Sequence, residues 1–197
     1  MKSKRLGSEI IRLALPATIE NIFQTLVGFF DTLLIAQLGL VAVTAVGLAN
    51  TILNVYLAVF LAIGVGGTAL IARSLGAGQK EKARQYARQT QELSIAGGIV
   101  FGFISIFFGR WMLQAMGASG SALEDAQVFF YWVGGFSLLH ASMTSLGTIL
   151  RATGDTVTPM KVGIITNVTN VLLDYFLIFG FGSWDGLGIL GTALGTI

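Results

Sequence analysis

The sequence predicts an all-α integral membrane protein, and three observations carry that expectation. Of its 197 residues, 54% are hydrophobic and only 11% are charged, with a mean hydropathy of +0.78. A soluble domain carries about 25% charged residues. The apolar stretches reach the roughly 20 residues a helix needs to cross a bilayer, and they lack the alternation of barrel strands of about 10 residues. The charged residues between the stretches alternate in sign from one side to the other. No cysteine is present, which excludes a disulfide framework and thiolate chemistry. A formal charge of +2 gives no reason to expect a nucleic-acid partner.

Six spans follow from this reading, at about 13–38, 44–72, 89–114, 126–150, 160–182 and 186–197. Lys2, Lys4, Arg5 and Arg12 precede the first. It is no cleaved leader: it is too long, it holds Glu20 and Asp31, and no small-residue cleavage site follows a short apolar core. Pro16 removes one helical hydrogen bond from it and marks a hinge. Arg73, Lys80, Lys82, Arg84 and Arg88 separate the second span from the third, as a basic loop. Glu124, Asp125 and the aromatic run Phe129, Phe130, Tyr131 and Trp132 open the fourth, where interface anchoring explains the rings. Arg151 and Lys161 lie between the fourth and fifth. Among the 12 Lys and Arg residues, only Arg110 falls on the opposite side. The positive-inside rule then places the N-terminus and both basic loops in the cytoplasm of a multi-pass plasma (inner) membrane protein. The sixth stretch is too short to cross, so it is expected to be a truncated helix.

Polar side chains inside the spans carry the functional reading. A charged carboxylate near the bilayer centre costs about 2.5–3.5 kcal/mol on insertion scales. Asp31 lies about 28 Å along the first helix from Arg12, and Asp174 about 20 Å from Lys161, at 1.5 Å per residue. In 165-ITNVTNVLLDYFLIFG-180, Asn167, Asn170 and Asp174 are spaced three and four apart, so they share one helix face. Two carboxylates with amide oxygens suit a sodium ion, or a proton held and released. Simple interhelical hydrogen bonding is the plainer reading.

At this point the residues resemble the MATE family (multidrug and toxic compound extrusion transporters), over essentially the whole chain. The resemblance rests on 15-LPATIENIFQTLVGFFDTLLIAQLG-39, 72-ARSLGAGQKEKAR-84, 151-RATGDTVTPMK-161, 167-NVTNVLLDY-175 and 186-GLGILGTALGT-196, in that order. It implies a six-helix N-terminal lobe of a twelve-helix, two-lobed transporter, with residues 1–197 as one transmembrane lobe and the C-terminal lobe outside the chain. It implies export of small organic cations or aromatic compounds in exchange for H+ or Na+, with no cofactor and no enzymatic step. It places the cation site on Asp31, Asn170, Asp174 and Thr196, with Asn167 beside them, and matches Pro16 to the family's bend in the first helix.

Other residues are weighed on their own chemistry. Glu20, Gln24 and Asp31 form a stripe on the first helix, so Glu20 and Gln24 are cleft or relay candidates. The alternative for Glu20 is a carboxyl satisfied by a neighbouring helix. Asn50 and Asn54 line the cleft or bond across helices. His140 is the only histidine and fits packing better than proton relay. With one His and no Cys, no zinc or transition-metal site is expected. The glycines of 97-GGIVFG-102 and 191-GTALG-195 are spaced for close helix packing. The run 64-GVGGTA-69 matches a dinucleotide fingerprint by letter only, because it sits in a span rather than a βαβ unit. Two rival functions share these features. A flippase for lipid-linked sugars would need basic residues in its cleft, and the spans hold almost none. An intramembrane aspartyl protease would use Asp31 and Asp174 as a dyad with oxygens about 3 Å apart, yet neither aspartate has a glycine-rich flanking motif.

Overall fold

Sustained apolar sequence with almost no proline gives long helices. In the computed structural model, the backbone of residues 2–181 and 184–197 and the side chains of 14–180 and 186–197 are described. Arg12 and its basic neighbours at the N-terminus therefore lie outside the described side chains, as does Asp185. The elements are α1 (Lys2–Gln37), α2 (Leu40–Gly76), α3 (Lys80–Ala115), α4 (Gly120–Gly135), α5 (Ser137–Ala152), α6 (Val157–Phe179), β1 (Gly180–Phe181), β2 (Trp184–Asp185) and α7 (Ile189–Thr196). Four helices are long and apolar enough to cross a membrane, and α4 with α5 makes a fifth crossing if the bent pair is one span.

Several boundaries differ from those the sequence predicts. The expected span at 126–150 is two helices, bent by 48° at Phe136. Glycine is a weak helix former, and Gly134 and Gly135 meet at the bend. Ser137 donates its hydroxyl to the Gly134 carbonyl, which replaces a bond lost there. The basic segment 80–88 is not a loop but the first turns of α3. At 36 residues α3 is about 54 Å long, well over the hydrocarbon thickness, so these turns project from the bilayer. Gly180–Phe181 pairs antiparallel with Trp184–Asp185, in a stretch the sequence reading leaves as a connection. α1 runs unbroken through Pro16.

Packing divides the molecule in two. Helices α2, α3, α4 and α5 pack on one another, around buried Phe60, Leu113, Phe129 and Phe130. Glycine allows the close crossings. A Cβ at Gly98 would lie 2.7 Å from the Leu138 Cα, and one at Gly102 would lie 2.7 Å from the Gly135 carbonyl oxygen. Tyr56 is held inside this bundle: its ring stacks on Phe101 at 4.3 Å, and its hydroxyl accepts from Ser105 at 3.2 Å. The other layer is thinner. α1 packs chiefly on α6, and α7 joins α6 to α4. Gly191 lies directly on the α6 backbone at Leu177 and Ile178.

Candidate functional site

The carboxyl of Asp31 on α1 lies beside that of Asp174 on α6. Asp174 is only 1% exposed. Neither of its oxygens, nor Oδ1 of Asp31, has a donor among the described residues. Two ionised carboxylates cannot hydrogen-bond each other, because both are acceptors only. A proton between them, or a cation bound to both, satisfies the pair. From α7, Gly195 packs directly against the Asp174 carboxyl, where any Cβ would collide.

Asn170 completes this wall. Its Nδ2 donates to the Gly195 carbonyl at 2.7 Å, which fixes the amide and leaves Oδ1 as an acceptor. Asn167, one turn below, has its Nδ2 buried with no acceptor among the described residues. The Thr196 hydroxyl donates to the Thr192 carbonyl at 2.8 Å, and Thr196 also lines a separate cleft. Thr192, which the sequence reading passes over, is 2% exposed with an unpartnered hydroxyl. Its signal was present in 191-GTALG-195, a polar residue inside a glycine-spaced face, but the spacing reads first as packing.

The α1 stripe has a counterpart on α6. Glu20 lies against Gly163, and Asp31 against Asp174. The two pairs are offset by the same stretch of chain, so α1 and α6 run parallel in one register. That register sets Gln24 opposite Asn167. Gln24 is exposed and makes no hydrogen bond among the described residues. Glu20 is 8% exposed and is paired: Nη2 of Arg151 bridges both its oxygens, at 2.6 and 2.7 Å. Glycine at 163 leaves room for this pair, because a Cβ there would sit 3.4 Å from Glu20 Cγ and Oε1.

A cleft with about 130 Å³ of space for water-sized molecules opens between α2, α4, α5 and α7. Asn50, Asn54, Phe60, His140 and Thr196 line it, and no Lys or Arg does. Asn50 and Asn54 are exposed, and neither bonds to another helix among the described residues. His140 is half-buried, with Nε2 lacking a partner.

Two neighbouring carboxyls are common to a cation site and a catalytic dyad, so their proximity alone does not separate transport from proteolysis. Relatives do. The chain is 34% identical over 192 residues to the probable multidrug resistance protein NorM of Thermotoga maritima, covering 98% of this chain and 41% of that protein. It is 27% identical to the FAD transporter of Shewanella oneidensis, covering 99% of this chain and 43% of the other. Its fold matches a solved MOP superfamily transporter from Pyrococcus furiosus with a TM-score of 0.89 at 28% identity, over 95% of this chain and 41% of that one. The chain thus spans about two-fifths of the length of these relatives, all of them transporters rather than enzymes. The MatE family profile matches residues 16–176, and on that match the chain belongs to the MatE family of membrane transporters.

Proposed function

We propose that this chain is the N-terminal lobe of a secondary antiporter. It exports small organic cations or aromatic compounds, and occupancy of the Asp31–Asp174 pair by H+ or Na+ drives the change in cleft. The observation that carries this is the contact between two carboxyls in a membrane-spanning layer, with three oxygens lacking a donor. Asn170 Oδ1, one turn from Asp174, supplies a further oxygen for a hard cation. Thr196 is assigned to the substrate cleft rather than to the ion. Loading the pair removes uncompensated charge, which lets α1 repack on α6, with Pro16 as the flexing point. The basic ends of the helices favour a cytoplasmic N-terminus in the plasma membrane. A cleft without Lys or Arg speaks against phosphate-bearing lipid-linked sugars as cargo.

The test uses the protein as encoded, in vesicles driven separately by proton and sodium gradients. Asp174→Asn and Asp31→Asn are each expected to cut gradient-driven efflux by about tenfold or more, because an amide neither releases a proton nor supplies anionic charge. Undiminished efflux in both variants would sink the assignment. The gradient that sustains efflux identifies the ion.

A further inference from the structure

The ion pair between Glu20 and Arg151 has no part in the site above, yet it stands at one end of the same polar seam. Four facts define the seam. α1 and α6 share one parallel register from Glu20–Gly163 to Asp31–Asp174. Between those ends lie the exposed Gln24 on α1 and Asn167 and Asn170 on α6. Asn167 keeps a buried Nδ2 without an acceptor. At the basic end, Arg151 from α5 reaches across and occupies both oxygens of Glu20 through a single nitrogen.

We propose that this seam is the cytoplasmic route of the coupling cation, and that the Glu20–Arg151 pair is its gate. The inference rests on the cation-coupling reading of Asp31 and Asp174. The chemistry is direct. A cation leaving the aspartates toward the basic end meets amide oxygens first and then a carboxylate. While Arg151 is paired, that carboxylate offers no free oxygen, and a fixed positive charge blocks the exit. Parting of the pair bares Glu20 as a ligand and withdraws the positive charge. Arg151 belongs to the end of α5 and Glu20 to α1, so any shift of α1 away from the bundle parts them. The gate is thereby tied to the helix that carries Asp31.

The absence of cysteine makes the test clean. Gln24→Cys and Asn167→Cys are introduced singly into the protein as encoded, freed of any other cysteine. Inside-out vesicles are exposed to Ag+, a monovalent cation near sodium in size, and thiols still free are then counted with a maleimide after denaturation. Ag+ is expected to reach both positions slowly when Arg151 is present, and faster by about tenfold or more in Arg151→Gln. Asn54→Cys in the substrate cleft should react at one rate in both backgrounds, which shows an intact lobe. If Arg151→Gln disturbs that control, Glu20→Gln removes the same ion pair and is read in the same way. Equal rates with and without the ion pair overturn the gate, and no reaction in any background overturns the route. The readout needs no transport, so it fails or succeeds independently of the Asp31→Asn and Asp174→Asn result.

Discussion

The α2–α5 bundle and the α1–α6–α7 layer are built from equally apolar sequence, but they are held together by different means. In the bundle, helices approach until glycine meets backbone, as at Gly98 and Gly102, and aromatic rings fill the centre. Where α1 meets its neighbours the contacts that stand out are polar: an ion pair to Arg151 of α5 and an aspartate pair with α6. In lipid there is little hydrophobic force between helices, so close packing and hydrogen bonding must hold them. Close packing has one good arrangement and resists change. Polar contacts that depend on a proton or an ion have two. The bundle is therefore the frame, and the α1–α6 layer is the part whose fit depends on what is bound.

The sharpest way to break this comparison is to overfill the frame. Gly98→Val pushes a branched side chain into the Leu138 backbone and the Ala141 side chain, where even a single Cβ has no room. The expected loss is about 3 kcal/mol, seen as a lowered unfolding midpoint in detergent and a lower yield of folded protein. Unchanged stability would mean that α3 and α5 part as readily as α1 and α6, and the distinction would fall.

The close packing was legible in the sequence in a way the polar contacts were not. The glycines at 97-GGIVFG-102 in the bundle and 191-GTALG-195 on α7 announce close crossings through their spacing, and both runs make them. The membrane class, the family and the stretches that supply most helices follow from local composition and ordered motifs. What local pattern could not give is the partner of Glu20. Arg151 lies 131 positions away, and nothing in either neighbourhood names the other. The break at Phe136 was hidden because Gly-Gly inside an apolar run reads equally well as packing or as a bend. Thr196 was matched by motif, yet its hydroxyl bonds within α7, while Thr192 one turn earlier is the buried and unpartnered one. Side-chain direction on a short helix depends on how that helix is rolled against α6, which only packing decides.

A middle-sized effect tests how much the polar layer owes to its ion pair. Glu20→Ala leaves Arg151 charged and half-buried without its carboxylate. Removing one partner of a fully buried pair costs about 3–5 kcal/mol. Arg151 keeps 34% of its side-chain exposure, and water screens it, so a loss of about 1–3 kcal/mol is expected. Arg151→Ala strands Glu20 instead, and Glu20→Gln with Arg151→Gln together should recover part of the loss. Hydrogen exchange should localise the effect to α1 and to the end of α5 that carries Arg151, with α3 unchanged. Faster exchange spread evenly over all helices would show that the two layers are one cooperative unit.

The smallest effect lies at the start of α6 and sharpens the comparison at its edge. Asp155 stands just before that helix, and its Oδ1 accepts from the backbone amides of Val157 and Thr158, at 3.1 and 3.0 Å. Thr156 at the formal cap position contributes no side-chain bond, so Asp155 does the capping from one residue earlier. Its hydrogen bonds with Thr158 hold its carboxyl below the usual carboxylate range, aided by the Val157 amide and Lys161. A lowered folded-state value means that the unfolded chain binds the proton more readily. The stabilisation is therefore complete above the ordinary aspartate range and fades as pH falls through the depressed value. Asp155→Ala should abolish that pH dependence and speed amide exchange at Val157 and Thr158, while leaving the Asp31–Asp174 contact in place. Because α6 is gripped further along by Asn170 on Gly195 and by the aspartates themselves, fraying should stop within its first turns. If exchange rises as far as Asn167, the α1–α6 layer draws its order from its end rather than from the polar contacts along its length.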